Sequence, residues 1–159
     1  MSLKRKIGGL VAKRSGQRFE HMVSSVAHVE GIACVRIPDG SRMVRGRTGA
    51  LVNIGQTSPW DFCMAYRGAA AFLDTKCTED MTFAASKIKS HQLYALQKME
   101  DQGCLAGYLI LFDRTGPGMI RFVPASMLVT IKKGQSINSA HGIGLGTQFN
   151  FSLKPIFKL

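Results

Sequence analysis

Acidic side chains are scarce in this chain: ten Asp and Glu stand against 21 Lys and Arg in 159 residues. The net charge of +11 disfavours basic partners and points to a polyanion, nucleic acid first. Long apolar runs are missing too, and none approaches the roughly 18 residues of a membrane span. The opening "MSLKRKIGGLVAKRSGQ" starts basic, but lysine and arginine break its apolar stretch, so it does not read as a signal peptide. Residues 1–14 read instead as a basic N-terminal arm. The four cysteines, at 34, 63, 77 and 104, form no C-x-x-C pair and have no histidine at metal-ligand spacing. That excludes a zinc ribbon and a disulfide scaffold, and leaves reduced, mostly buried thiols of a cytosolic protein.

The chain shows no internal repeat and has the length of one domain, 1–159, with a glycine-rich C-terminal segment at 134–159. In "SGQRFEHMVSSVAHVEG", Phe19, Met22, Val23 and Val26 fall at helical spacing. Ser15 is placed to cap that helix and Gly31 to end it. Glu20 sits at the edge of its apolar stripe. "IACVRI" reads as a strand, "PDGSRMVRGRTG" as a basic loop or short projecting hairpin, and "ALVNI" as another strand. "SKIKSHQLYALQKMEDQG" reads as a helix capped by Ser86 or Ser90 and stopped at Gly103. "CLAGYLILF" is the most apolar strand and is expected at the sheet centre. "MIRFVP" follows as a further strand, and "ASMLVTI" as a short helix or extended segment. "GIGLGT" at 142–147 is not a G-x-G-x-x-G fingerprint and reads as a flexible loop. The order predicts an α/β or α+β fold, a sheet with helices packed on it.

Two of the few acids, Asp61 and Asp74, lie in two strand-like runs, "WDFCMAY" and "AAAFLDTK", around Arg67-Gly68. If Arg67-Gly68 is a two-residue hairpin loop, paired positions add to 135 and the two aspartates stand opposite each other. Their Cβ atoms would then be about 5 Å apart. Lys76, two residues past Asp74, shares the face. Opposed like charges destabilise a sheet; a divalent cation reverses that sign, and oxygen ligands suit Mg²⁺. The bland alternative is a pair of solvent-facing aspartates, one bound to Lys76.

The pattern Asp61, twelve residues, then Asp74-Thr75-Lys76 resembles the PD-(D/E)xK nuclease signature, with Pro59 as a loose form of its first element. "GQRFE" at 16–20 resembles the first-helix motif of RecU-type Holliday junction resolvases. "YRG" at 66–68 resembles their hairpin turn, "HQ" at 91–92 the start of their second helix, and "GCLAGYLILF" the next strand. The resemblance implies a restriction-endonuclease-like α/β fold, a mixed central sheet flanked by helices. It implies phosphodiester hydrolysis dependent on Mg²⁺, with Mn²⁺ as a substitute, by a homodimer acting on a four-way DNA junction. Asp61, Asp74 and Glu20 would be the metal ligands and Lys76 the catalytic lysine. Gln92 would touch the metal water or the DNA backbone. The second acid departs from the resolvase pattern, which usually has glutamate. A cytosolic setting in a bacterial or phage-infected cell is the natural expectation.

Arg42, Arg45 and Arg47 lie in a basic, glycine-containing segment. Arginine binds phosphate in bidentate fashion, so these three are candidate DNA contacts, with Arg67, His91 and Gln92 as others. Trp60, beside Asp61, reads as a core or shielding residue. Two alternatives remain open: a nuclease of the same fold acting on flaps, ends or duplex, and a non-catalytic basic nucleic-acid-binding protein.

Overall fold

The computed structural model describes residues 3–38, 40–45, 51–56, 58–113, 117–131 and 134–158, with side chains left aside at 3–13, 42–45 and 51–56. Helix α1 (Leu3–Val29) opens the fold. It starts well before Ser15, because the preceding residues are mostly Ala, Leu, Lys and Arg, all good helix formers; Ser15 lies inside the helix. Its end is as expected. Gly31 takes a positive φ of 72°, and the Ile32 N–H reaches back to the Ala27 carbonyl, a glycine-terminated helix stop.

Seven strands form a mixed sheet. They are β1 (Ala33–Arg36), β4 (Phe62–Tyr66), β5 (Ala69–Thr78), β7 (Leu105–Phe112), β8 (Met119–Pro124), β10 (Ile143–Thr147) and β11 (Asn150–Phe151), side by side in that order. Strands β2 (Gly40–Arg45) and β3 (Leu51–Gln56) pair as a separate antiparallel ribbon, so the described part of the basic segment is strand and not loop. Strand β6 (Thr82–Ala84) pairs with β9 (Ser136–Asn138). Among the described residues only β5 and β7 run parallel. Their crossover is helix α2 (Ser90–Asp101), as a parallel pair requires. Neither Ser86 nor Ser90 caps α2; its N-cap is Lys89, with no side-chain cap bond. Helix α3 (Ala125–Thr130) follows β8 directly.

Alternation along the strands divides the core in two. On one face Phe19, Val23 and Ala27 of α1 meet Phe62, Met64, Ala71, Leu73, Leu109 and Phe122. On the other, Leu96 of α2 and Leu128 of α3 meet Tyr108, Ile110, Val123 and the flanking Phe72 and Trp60. Strand β7 feeds both clusters, which is why its sequence is almost continuously apolar. Trp60 packs edge-on against Phe72, ring centroids 4.9 Å apart. The four thiols are free and half-buried rather than mostly buried. No helix among the described residues is long and apolar enough to cross a membrane.

The "GIGLGT" segment is strand β10, paired to β8 with a bulge between Gly144 and Gly146, not a loop. Its glycines let two backbones meet: a Cβ on Gly142, whose φ is +70°, would stand 2.1 Å from the Phe122 carbonyl oxygen. Leu145 between them is buried. Gly142→Ala is therefore expected to destabilise the fold by about 1–3 kcal/mol. Gly16→Ala, inside α1 with open space around it, is expected to stabilise it by about 0.5–1 kcal/mol. Urea unfolding of the two variants checks the opposite signs.

Candidate active site

The β4–β5 hairpin sets the site. Arg67 and Gly68 take φ of 49° and 86°, the two positive values that a tight two-residue loop needs. Pairing runs from Tyr66↔Ala69 to Phe62↔Leu73, each pair adding to 135 as expected. At the next step the ladder slips: the Asp61 N–H donates to the Leu73 carbonyl, and the Asp61 carbonyl accepts from Ile37 N–H. The Asp61 carboxylate turns toward β5. Its Oδ2 accepts from the Thr75 N–H at 2.7 Å and from the Thr75 hydroxyl at 2.6 Å.

Asp74 is fully buried, at 0% exposure. It follows Leu73, which faces α1, and so faces α2. There its Oδ1 accepts from Gln92 Nε2 at 2.9 Å, and its Oδ2 is paired with the Lys76 ammonium. Burial pushes the Asp74 carboxyl up to about 7; Lys76 pulls the other way, and the negative Asp61 adds to the rise. The Lys76 ammonium also lies 5.0 Å from the centre of the Tyr108 ring, a cation–π distance. Tyr108 is the direct β7 neighbour of Asp74. Burial, and then the Asp74 charge, push its phenol up as well, so it stays protonated.

The structure thus brings together Asp61, Asp74, Lys76 and Gln92. Gln92 is 5% exposed and props Asp74 from the first turn of α2, away from the surface, where it was expected as a DNA contact. His91 beside it is exposed. Glu20 is not brought to this group. It lies on α1, across the sheet, and its carboxylate is paired with Arg36 on β1. Among the described residues no three His, Cys, Asp or Glu side chains cluster as a metal centre. Arg67 sits at the far end of the hairpin, with its guanidinium 5.3 Å from the Tyr66 ring centre. Six residues of extended chain at about 3.3 Å each separate it from Asp61, about 20 Å. Arg42 and Arg45 are on β2; Arg47 lies outside the described residues.

Sequence reading missed Thr75 and Tyr108. Thr75 was visible as the spacer between Asp74 and Lys76 and for its backbone carbonyl as a candidate metal oxygen, but not for its N–H and hydroxyl on Asp61. The place of Tyr108 depends on the parallel β5–β7 register, which no local pattern encodes.

The donor set suits a hard divalent cation. The Asp61 charge is close enough to act on Asp74, and Gln92 Oε1 is buried with no partner among the described residues. An orphan acceptor beside two carboxylates is the kind of group that a cation or its water satisfies.

Residues 31–141 match the family model described as Recombination protein U. That span contains Asp61, Asp74, Lys76 and Gln92 and begins after Glu20. No curated protein matches the chain. Among solved structures it is similar to Hjc, a Holliday junction resolvase from the archaeal hyperthermophile Archaeoglobus fulgidus. The TM-score is 0.54 at 17% identity, covering 79% of this chain and 89% of that one. At that identity the likeness is one of fold, and it bears out the mixed, helix-flanked sheet.

The raised Asp74 pKa has a sign that can be measured without metal. The folded state holds a proton that the unfolded chain releases near pH 3.8. Its contribution to stability is full below that pH and is lost as pH rises to about 7. Metal-free wild type is expected to lose melting temperature across that window. Asp74→Asn, which cannot ionise, is expected to lose clearly less, as read by thermal unfolding at a series of pH values.

Proposed function

The chain belongs to the Recombination protein U family, and on that premise we propose that it is a divalent-metal-dependent DNA endonuclease that cuts four-way junctions. The observation that carries this reading is the buried Asp74, raised to about 7 beside Asp61 and still holding Lys76 and Gln92. A purely structural core has no use for such a group, since an apolar residue of similar size would be more stable there.

Each residue then has a task. Asp61 and Asp74 hold the cation, Mg²⁺ with Mn²⁺ as a substitute. Thr75 fixes Asp61 through two hydrogen bonds, and Gln92 fixes Asp74. When bound, the cation supplies Lewis-acid polarisation of a phosphoryl oxygen and an acidified water. Lys76, steadied by Asp74 and the Tyr108 ring, offers its ammonium to the negative charge that builds on the phosphate. Glu20 joins the site in this proposal only by exchanging Arg36 for the metal's shell. Arg42 and Arg45 on β2, Arg47 shortly after them in sequence, and His91 at the start of α2 meet the DNA backbone. Arg67, about 20 Å from Asp61, meets a junction arm instead of the scissile phosphate. A homodimer places two such sites on opposed strands of a symmetric junction.

Cleavage of a labelled synthetic junction against linear duplex of matched sequence tests this. Paired symmetric nicks are expected with Mg²⁺ or Mn²⁺ and none with EDTA. Asp74→Asn and Lys76→Ala are each expected to slow cutting by about 100-fold or more. Metal-dependent cutting of every substrate would keep the site and discard the junction. Tight binding without cutting under any metal would overturn the nuclease reading.

A further inference from the structure

Strands β10 and β11 are joined by Gln148-Phe149, closed by the pair Thr147↔Asn150. Gln148 anchors this turn. Its N–H donates to the Gly118 carbonyl at 2.8 Å, and its side chain lies so close over Gly118 that a Cβ there would stand 3.0 Å away. Phe149 next to it is 79% exposed. A large aromatic ring is therefore held out in water on a turn that is itself pinned at its base.

The ring edges a groove of about 480 Å³ between the turn and α1, within the roughly 300–1,000 Å³ of small-molecule sites. Arg18, His21, Met22, Val26 and Phe151 are among its other walls, and none of its lining residues is acidic. Arg18 has no carboxylate partner among the described residues, where the ion pairs are Arg36–Glu20 and Lys76–Asp74. Arg14, Arg18 and His21 follow each other along one exposed line of α1, at helical spacing. A smaller adjoining groove shares Arg18, Met22, Gln148 and Phe149 and carries Asp113 and Cys77. The acid on that side turns an anion toward Arg18 and His21. Cys77 ties the region to the site, being the β5 residue after Lys76 but on the opposite face of the sheet.

We propose that the groove between α1 and the Gln148-Phe149 turn is a binding site for an unstacked nucleotide of a DNA strand, with the base on Phe149 and its phosphate on Arg18. Charge complementarity selects the partner: an apolar wall, one presented aromatic, a guanidinium with no carboxylate partner among the described residues and no acid lining the larger groove suit a base and its phosphate together. The proposal rests on the DNA reading above for the class of its partner, but not on the metal or on cutting.

The test is fluorescence anisotropy in EDTA, with a labelled single-stranded oligothymidylate and a blunt duplex of equal length as probes. Phe149→Ala is expected to weaken single-strand binding about tenfold, from the loss of one base–aromatic stack, and to leave duplex binding unchanged. Phe149→Trp is expected to restore it. Arg18→Gln is expected to flatten the salt dependence of single-strand binding by about 0.7 in log–log slope. Phe149 is exposed enough that its removal leaves the core intact. Unchanged single-strand binding in Phe149→Ala overturns the proposal, as does a loss of self-association in sedimentation with DNA binding intact, which would make the ring a contact between copies. Failure to cut any junction, with these binding effects present, would sink the nuclease reading and leave the groove standing.

Discussion

A carboxylate taken out of water is costly unless something positive meets it, and Asp74 is such a group at the centre of this fold. Lys76 meets one of its oxygens and Gln92 the other. Even so, burial and the neighbouring Asp61 hold its proton to about pH 7. The pair of aspartates is thus electrostatically unfinished in the protein alone. In the proposed reading a divalent cation completes it, and the elements around it can be understood as what keeps that arrangement fixed.

The hairpin turn does the first part. Positive φ at both Arg67 and Gly68 sets the β4–β5 register from Tyr66↔Ala69 to Phe62↔Leu73, which delivers Asp61 to the end of the ladder beside β5. Parallel pairing of β5 with β7 does the second. It sets Tyr108 beside Asp74 and brings the first turn of α2 over the same face, where Gln92 reaches the carboxylate. The apolar packing of α1 on the other face makes the sheet rigid behind them. Two hydrogen bonds from Thr75 then hold Asp61 at the edge of the ladder. Rigid elements, rather than loops, present the site.

Much of this was legible in the sequence for reasons that can be named. The strands around Arg67-Gly68 carry their register in the turn, so the pairing as far as Phe62↔Leu73 follows from counting, while the slip at Asp61 does not. The apolar run 104–112 announces a strand buried on both faces. Other parts depend on contacts distant in sequence. Gln92 was expected at the metal water or the DNA backbone; its bond to Asp74 itself was not legible, because only the β5–α2–β7 crossover buries it there. Glu20 looked like a site ligand, because nothing local shows that Arg36, on an edge strand, captures it. "GIGLGT" looked like a loop, since glycine weakens a strand. It is a strand because β10 must come close to the Phe122 backbone.

The central claim is that Asp74 trades its proton for a cation. The most direct measurement is calorimetric titration of Mg²⁺ into the protein near pH 6, in two buffers of different ionisation enthalpy. Metal binding that needs the carboxylate deprotonated releases protons, so wild type should release close to one proton per bound ion, falling toward none by about pH 8. Binding with no proton release at pH 6, or release unchanged in Asp74→Asn, would contradict the account.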